Sequence, residues 1–453
     1  MRATLGALFP LAPESKPPAP GTLAMSVVLR AAAVCAAVIV LLSRIARVPA
    51  WDSMYAEDYG IYLIQALRRP WHIFTPYNGY LQLVPRLIGQ LASLLPLTAA
   101  AAVFAVTGAF IAAACALFVY QASAGHVRSR ALRATLAASL VLLPVAPLEV
   151  VGNGVNSSWY IVAALFWAVL WRPRTPVGMT VAAAVAFAAT SAIPVTIVYA
   201  PLLMIRAFAL PRLREHAVTA GWLAGWVLQA PVILHSYVRH TRRFGAPARP
   251  GPTVAYYLHT VVLRAPGWHL SWWLESVAGQ TGATAIVGVF LALVLGWAVV
   301  TQGSQVRLFV VTAVLTGFVY TVFAAAITSY VVRETPFLST VSFEPASRYS
   351  VVPIFLLDAA AIVSVDAFVA HRTSAGLAGV RPSVIFAVAA LACVLMLGWV
   401  TDYRYVTQRT TAGHWSPVAV SVLDACQHSR TGKVTLRAWG GHKVHVPCSR
   451  IRR

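Results

Sequence analysis

Charge is what this chain has least of: 11% of its residues are charged, and only 13 are Asp or Glu. A water-soluble domain of such length carries about a quarter charged residues, so the composition argues against a soluble fold. No internal repeat is visible, which counts against a transporter assembled from inverted halves. No nucleic-acid module is present either, because no basic stripe is interleaved with stacking aromatics in a soluble segment. His235, His240, His259 and His269 lack the spacing of metal ligands. The N-terminal stretch MRATLGALFPLAPESKPPAPGTLAM is too interrupted by Pro for the apolar core of a signal peptide. It reads as a short disordered cytoplasmic tail over 1–24, with the first span kept as an anchor.

What the chain has is apolar length. It is 59% hydrophobic with a mean hydropathy of +0.73, and runs of about twenty apolar residues, each able to cross the hydrocarbon layer as a helix, recur throughout. Spans are expected near 25–45, 97–120, 132–150, 157–172, 177–192, 195–210, 217–237, 284–302, 307–329, 350–370 and 383–401, eleven in all. The fold expected is an all-α polytopic membrane protein, with a transmembrane domain over 25–401 and a C-terminal segment over 402–453. Only Ser191 to Pro194 separate the fifth and sixth spans, so that pair is either two crossings or a re-entrant hairpin.

The formal charge of +22 resides in loops, where anionic membrane lipids rather than nucleic acid are the expected partner. Short connectors hold Arg128, Arg130 and Arg133, then Arg172 and Arg174, then Arg206, Arg212 and Arg214, then Arg307, then Arg372 and Arg381. The turns on the other side, Asn153 to Ser157 and Ser191 to Pro194, have no Lys or Arg, so the arginine-bearing connectors are expected to face the cytoplasm. The longer loops on that other side are basic too, with Arg239, Arg242, Arg243 and Arg249. Cys35, Cys115 and Cys393 fall inside spans, while Cys426 and Cys448 fall in the polar tail, where one disulfide would require an oxidising compartment. The alternative is two free thiols in a cytoplasmic tail. Around them Val434, Leu436 and Ala438, then Val444 and Val446, alternate about Gly440 and Gly441 as a β-hairpin does.

Four outer segments then have room for chemistry: 46–96, 238–283, 330–349 and the tail. The first contains Asp52, Glu57 and Asp58, three of the 13 acids within seven residues. A carboxylate at the membrane surface can act as general base toward an incoming hydroxyl. Equally, Glu57 and Asp58 can cap a helix from Tyr59 to Leu67. Tyr62, Gln65, Tyr77, Asn78, Tyr80 and Gln82 are candidate hydroxyl readers, and Leu87 to Leu95 reads as an interfacial amphipathic helix. The loop before the tenth span sets Arg348 and Tyr349 at the depth of a lipid-carrier phosphate, which a guanidinium fork binds well; ordinary headgroup snorkelling is the simpler account of such an Arg. Loop 238–283, with His240, Arg242, Arg243, Tyr256, Tyr257, Trp268, Trp272 and Trp273, reads as basic and interfacial. Asp358 and Asp366, two helical turns apart in the tenth span, keep an ion-coupled transporter open.

The segments AEDYGIYLIQAL, ASRYSVVPIF and SAIPVTIVYAPLLMIRA resemble, respectively, the acidic first-loop motif, the Arg-Tyr start of a late span and the short paired spans of the GT-C superfamily of polyprenyl-phosphate-sugar-dependent glycosyltransferases. The chain looks most like the actinobacterial GT-C-like integral membrane proteins, including their Cys-containing C-terminal outer segment. That resemblance implies a multi-pass bacterial plasma membrane protein using a lipid-linked sugar donor, with inverting transfer to an acceptor hydroxyl outside the cytoplasm. It makes Asp58 or Glu57 the base, with Asp52 a third candidate, and makes Arg348 with Tyr349 the donor-phosphate ligands. It leaves Tyr62, Gln65, Tyr80 and Gln82 to face sugar or acceptor. It establishes no cofactor, and a divalent metal is an open alternative. Members often show Asp-x-Asp or Glu-x-Asp, whereas here Glu57 and Asp58 are adjacent. The alternatives are a transporter or flippase of lipid-linked saccharides, or a non-catalytic membrane protein that binds partners through its tail.

Overall fold

A helix satisfies every backbone group within its own segment, and that is the architecture a bilayer demands of so apolar a chain. The computed structural model describes residues 2–12, 22–239, 250–327, 348–374, 382–411, 413–437 and 443–452. Seven helices are long and apolar enough to cross a membrane: Ala24–Ser43, Leu97–Gly125, Arg130–Glu149, Leu213–Val238, Trp268–Thr301, Ser304–Ala324 and Arg348–His371. Four shorter apolar helices, Ser157–Leu170, Pro176–Ala192, Pro194–Ala209 and Ile385–Thr401, accompany them. The chain is a predominantly helical polytopic membrane protein in which two helices form the middle of the bundle. Every residue of Ser157–Leu170 is buried, and so is most of Arg348–His371. Ala24–Ser43 is peripheral, with Val27, Val28 and Ile39 exposed as lipid-facing residues are.

A second, separate core lies at the end of the bundle where the helix Leu97–Gly125 begins, and that helix contributes Ala100, Ala101 and Phe104 to it. The first loop supplies Tyr62, Leu63, Ile64, Leu67 and Ile88, and the C-terminal segment supplies Trp415, Val422, Val434, Leu436 and Val446. The C-terminal segment comprises the helix Trp415–Gln427 and an antiparallel pair of strands in which Val434 faces Val446 and Leu436 faces Val444. Cys426 and Cys448 form a disulfide with Cα atoms 5.4 Å apart. The Trp415 indole donates to the Leu97 carbonyl at 2.9 Å and its ring lies 5.2 Å from that of Tyr59, so the tail is docked onto the first loop.

Two expectations change. The N-terminal residues 2–12 are ordered: Phe9 is fully buried beneath the Arg206 guanidinium, and the Arg172 Nη1 donates to the Phe9 carbonyl at 3.3 Å. An aromatic ring covered in this way cannot belong to a disordered tail. The helix expected to begin near 284 begins instead at Trp268 and bends at Gly279, whose φ is 68°. Its start is fixed by Asp402, which accepts from the Trp268 amide and from the His269 amide at 3.1 Å. Tyr256 and Tyr257 are buried, leaving Trp272 and Trp273 exposed from that aromatic run. His240, Arg242, Arg243, Arg249, residues 330–347, Arg381, Ala438, Gly440 and Gly441 lie outside the described residues.

Candidate active site at the mouth of the bundle

The turn between Arg130–Glu149 and Ser157–Leu170 is dense in Gly and Asn, residues whose short side chains substitute for backbone partners in tight turns. The Asn153 and Asn156 amides donate to the Glu149 carbonyl oxygen at 2.7 and 3.0 Å. The Trp159 indole in turn donates to Asn156 Oδ1 at 3.2 Å. This fixes Glu149 at the mouth, where its carboxylate meets the first turn of the helix Arg348–Ser374. Arg348 Nη1 lies 2.8 Å from Glu149 Oε1, and the Arg348 backbone amide donates to Oε2 at 3.2 Å. Glu149 thus both caps that helix and pairs with its first side chain. The Tyr55 hydroxyl also donates to Glu149 Oε1, at 3.1 Å.

Glu57 joins this group electrostatically. Burial pushes its carboxyl above the ordinary range, and Arg348 pulls it partly back. Tyr55 is raised by burial first and then by Glu149 and Glu57, and half-buried Tyr77 is raised by burial and by Glu57. Arg348 keeps a quarter of its side chain exposed, against 5% for Glu149. Tyr349 sits edge-on to Trp159 at 5.4 Å, and Trp159 in turn to Tyr320 at 6.3 Å. The Tyr320 hydroxyl is buried without a hydrogen-bond partner among the described residues. The result is a cluster of two carboxylates, one guanidinium that is a quarter exposed, and two phenols, with an aromatic wall beside it.

Asp58 does something else. Adjacent residues on a helical turn point in different directions, and Asp58 is 1% exposed on the π-helical turn Asp58–Leu63. Its Oδ2 and Oδ1 accept from the amides of Gly154 and Val155, each at 2.9 Å. The expectation that Glu57 and Asp58 cap their own helix is corrected: no side-chain cap forms there, and Asp58 instead latches the first loop to the Glu149 turn. Burial raises its pKa to about 7 against the pull of the two amides and of Arg409. Buried Arg409 donates to the carbonyls of Ala50, Ser53, Val151 and Gly152 and to the Ser53 hydroxyl. One tail side chain therefore ties together the first loop and the Glu149 turn, with its own pKa lowered by burial to about 10.

Asp52 is also separate from the Glu149–Arg348 cluster. It accepts from the Ser416 amide at 2.8 Å and pairs with His414 at 2.7 Å, so it fastens the tail. Burial by itself would raise its carboxyl, but the hydrogen bonds from Ser416 and His414 together outweigh that and hold it below its ordinary range. The supposed single cluster of acids is therefore three side chains with three surroundings. Among the suggested hydroxyl readers, buried Tyr62 donates its hydroxyl to Gln82. Gln65 accepts from Arg86 at 2.9 Å, so all three are occupied within the loop. Tyr77 and Tyr80 pair through their backbones, with side chains half-buried. Among the described residues no group of three or more His, Cys, Asp or Glu is placed to hold a metal ion.

Asp366 accepts from the amides of Arg128 and Ser129 at 2.8 and 2.9 Å, which makes it an anchor for a connector at the opposite end of the bundle. Glu149 and Arg409 were not picked out from the sequence. The signal for Glu149 was present, since an acid closes an apolar span three residues before the Gly152 that opens Gly-Asn-Gly-x-Asn, in a chain with 13 acids. Nothing local distinguishes Arg409 from the chain's other arginines. Fold and site together define a helical membrane protein with an acid–arginine cluster where buried helix ends meet. Comparison with known proteins finds no matching family model and no matching curated protein.

Proposed function

We propose that the chain is a GT-C-type glycosyltransferase that moves a sugar from a polyprenyl-phosphate donor to an acceptor hydroxyl on the extracytoplasmic face of a bacterial plasma membrane. The observation that carries this reading is the partly exposed Arg348 held by Glu149 at 2.8 Å with Glu57 within its electrostatic reach. In the proposed step the acceptor oxygen attacks the anomeric carbon while Glu57 takes the hydroxyl proton. The bond from that carbon to the phosphate oxygen breaks with inversion, and its electron pair leaves on the polyprenyl phosphate. A carboxylate whose basicity burial has raised suits the first task. Arg348 has donors beyond the one given to Glu149, and these suit the phosphate oxygens. Asp58 is then a positioning residue rather than the base.

Eleven crossings fit the way the chain alternates between ends. Glu149, Arg348 and the disulfide-bearing tail share one end. At the other, the Gln305 side chain donates to the Gly125 carbonyl at 2.8 Å, and Asp366 fixes the connector at Arg128. The concentration of Arg at that second end supports a cytoplasmic assignment, and the disulfide supports an oxidising compartment at the first.

A transporter or flippase of lipid-linked saccharides is the second reading, favoured by Asp358. This carboxylate is 8% exposed inside a span and makes no hydrogen bond or ion pair among the described residues. The test is lipid-linked glycan profiling of a strain with Glu57→Gln beside one with Asp358→Asn, at matched expression. Glycosyltransfer predicts that the sugar-bearing product disappears and its donor accumulates in the first strain only. Loss confined to Asp358→Asn would establish the transporter and defeat the enzyme.

A further inference from the structure

A cavity of about 290 Å³ opens at the end of the bundle opposite Glu149, and its lining includes Arg172, Arg174, Arg206, Arg212 and Arg214 against one carboxylate, Glu215. The fully buried helix Ser157–Leu170 separates it from the candidate active site, a rise of about 21 Å at 1.5 Å per residue. The lining comes from two connecting stretches, one holding Arg172 and Arg174 and the other Arg212 to Glu215, together with the helix ends beside them, and Leu11 of the N-terminal segment completes the wall.

Cytoplasmic arginines need only be solvated to satisfy the usual charge bias of membrane loops. These are arranged differently. Arg206 is 2% exposed, donating to the Val169 carbonyl at 2.5 Å and, through Nη2, to the Glu215 carbonyl at 2.9 Å. Arg172 is held by Glu215 at 2.6 Å, and Arg174 Nε by the Ala12 carbonyl at 2.7 Å. Three guanidiniums are thus fixed around the hollow, one of them, Arg206, at the cost of desolvation. Arg212 and Arg214 remain exposed beside it, with no side-chain partner among the described residues. Glu215, already engaged by Arg172, leaves most of this charge unbalanced, and low-dielectric walls focus such a field on an incoming anion.

We propose that this cavity binds a phosphate-bearing anion. Planar guanidinium forks match phosphate oxygens, and the volume approaches the roughly 300 Å³ at which small-molecule sites begin. The apolar lining contributed by Met179 and Val218, with Leu213 exposed beside them at 87%, suits the glycerol and first methylenes of an anionic lipid. A soluble phosphate ester shares the recognised group. The site is independent of the chemistry at Glu57.

Native mass spectrometry of the full-length protein tests this with two probes, phosphatidylglycerol against phosphatidylcholine and, separately, inorganic pyrophosphate. The variants are the double substitution Arg212→Gln with Arg214→Gln, and Arg130→Gln as a control at another exposed arginine of the same end. The expected result is preferential retention of one phosphate probe, weakened about tenfold in the double variant and unchanged in Arg130→Gln. Lipid retention alone identifies a headgroup, and pyrophosphate binding with the same dependence identifies a soluble ester. Equal retention by wild type and double variant, or an equal loss in Arg130→Gln, overturns the proposal.

Discussion

At the scale of single residues, neighbouring acids have been given different work by the direction in which each side chain leaves a helical turn. Glu57 lies within the electrostatic reach of Arg348, and Asp58 accepts from the backbone amides of Gly154 and Val155. On the proposed glycosyltransferase reading, Glu57→Gln is expected to lower transfer by about a hundredfold or more, the usual weight of a general base, with an unchanged apparent melting temperature. In vitro transfer from a polyprenyl-phosphate sugar, beside a thermal scan, measures both. Asp58 carries a pH signature. Its folded-state pKa of about 7 lies above the ordinary 3.8, so the folded protein retains a proton that the unfolded chain has released. Its contribution to stability is accordingly greatest in acid and is lost as pH rises through about 7, by an amount on the order of 4 kcal/mol. Apparent melting temperature against pH, wild type minus Asp58→Asn, should show that slope; parallel curves would mean that Asp58 titrates normally.

At the scale of elements, the extramembrane lobe depends on a few long-range fasteners. Arg409 answers four buried carbonyl oxygens across two segments. Arg409→Leu leaves those oxygens unpaired, at an expected cost of about 3 kcal/mol or more. Arg409→Lys should rescue little, because one ammonium cannot span what the fork spans. Protease susceptibility of the tail relative to the bundle distinguishes this local loosening from global unfolding. The disulfide closes a stretch with sequence separation 22, for which the chain-entropy estimate is about 3 kcal/mol. Cys426→Ser with Cys448→Ser should raise hydrogen exchange in the strands Lys433–Arg437 and Lys443–Pro447 while leaving Ser157–Leu170 protected. Helix Leu83–Ser93 completes the lobe by close approach, since a Cβ on Gly89 would stand 2.9 Å from the Tyr62 carbonyl oxygen. Only glycine allows those two backbones to lie so near.

At the scale of the whole molecule, the proposed topology sets the disulfide-bearing tail and the arginine-lined cavity on opposite sides of the membrane. A membrane-impermeant maleimide applied to intact cells should label Cys426 and Cys448 only after reduction, while Cys115, buried among the helices, stays unlabelled. A cysteine substituted at exposed Arg212 should react only after the membrane is permeabilised. The reverse pattern would invert the topology and put the candidate active site in the cytoplasm.

The seven long apolar helices and the arginine-bearing connectors were legible in the sequence, because hydropathy and loop charge are sums over neighbouring residues and need no knowledge of what packs where. The alternation around Val434 and Val446 was legible for the same reason. Other features came only from the tertiary structure. Glu149 and Arg348 are separated by 199 positions, and Arg409 and Ser53 by 356. No local pattern encodes a pairing across such distances, and it arises only when helix ends converge. Nor could the sequence separate Glu57 from Asp58, because adjacent carboxylates are alike until one turn of backbone buries one against amides and leaves the other within the field of a guanidinium.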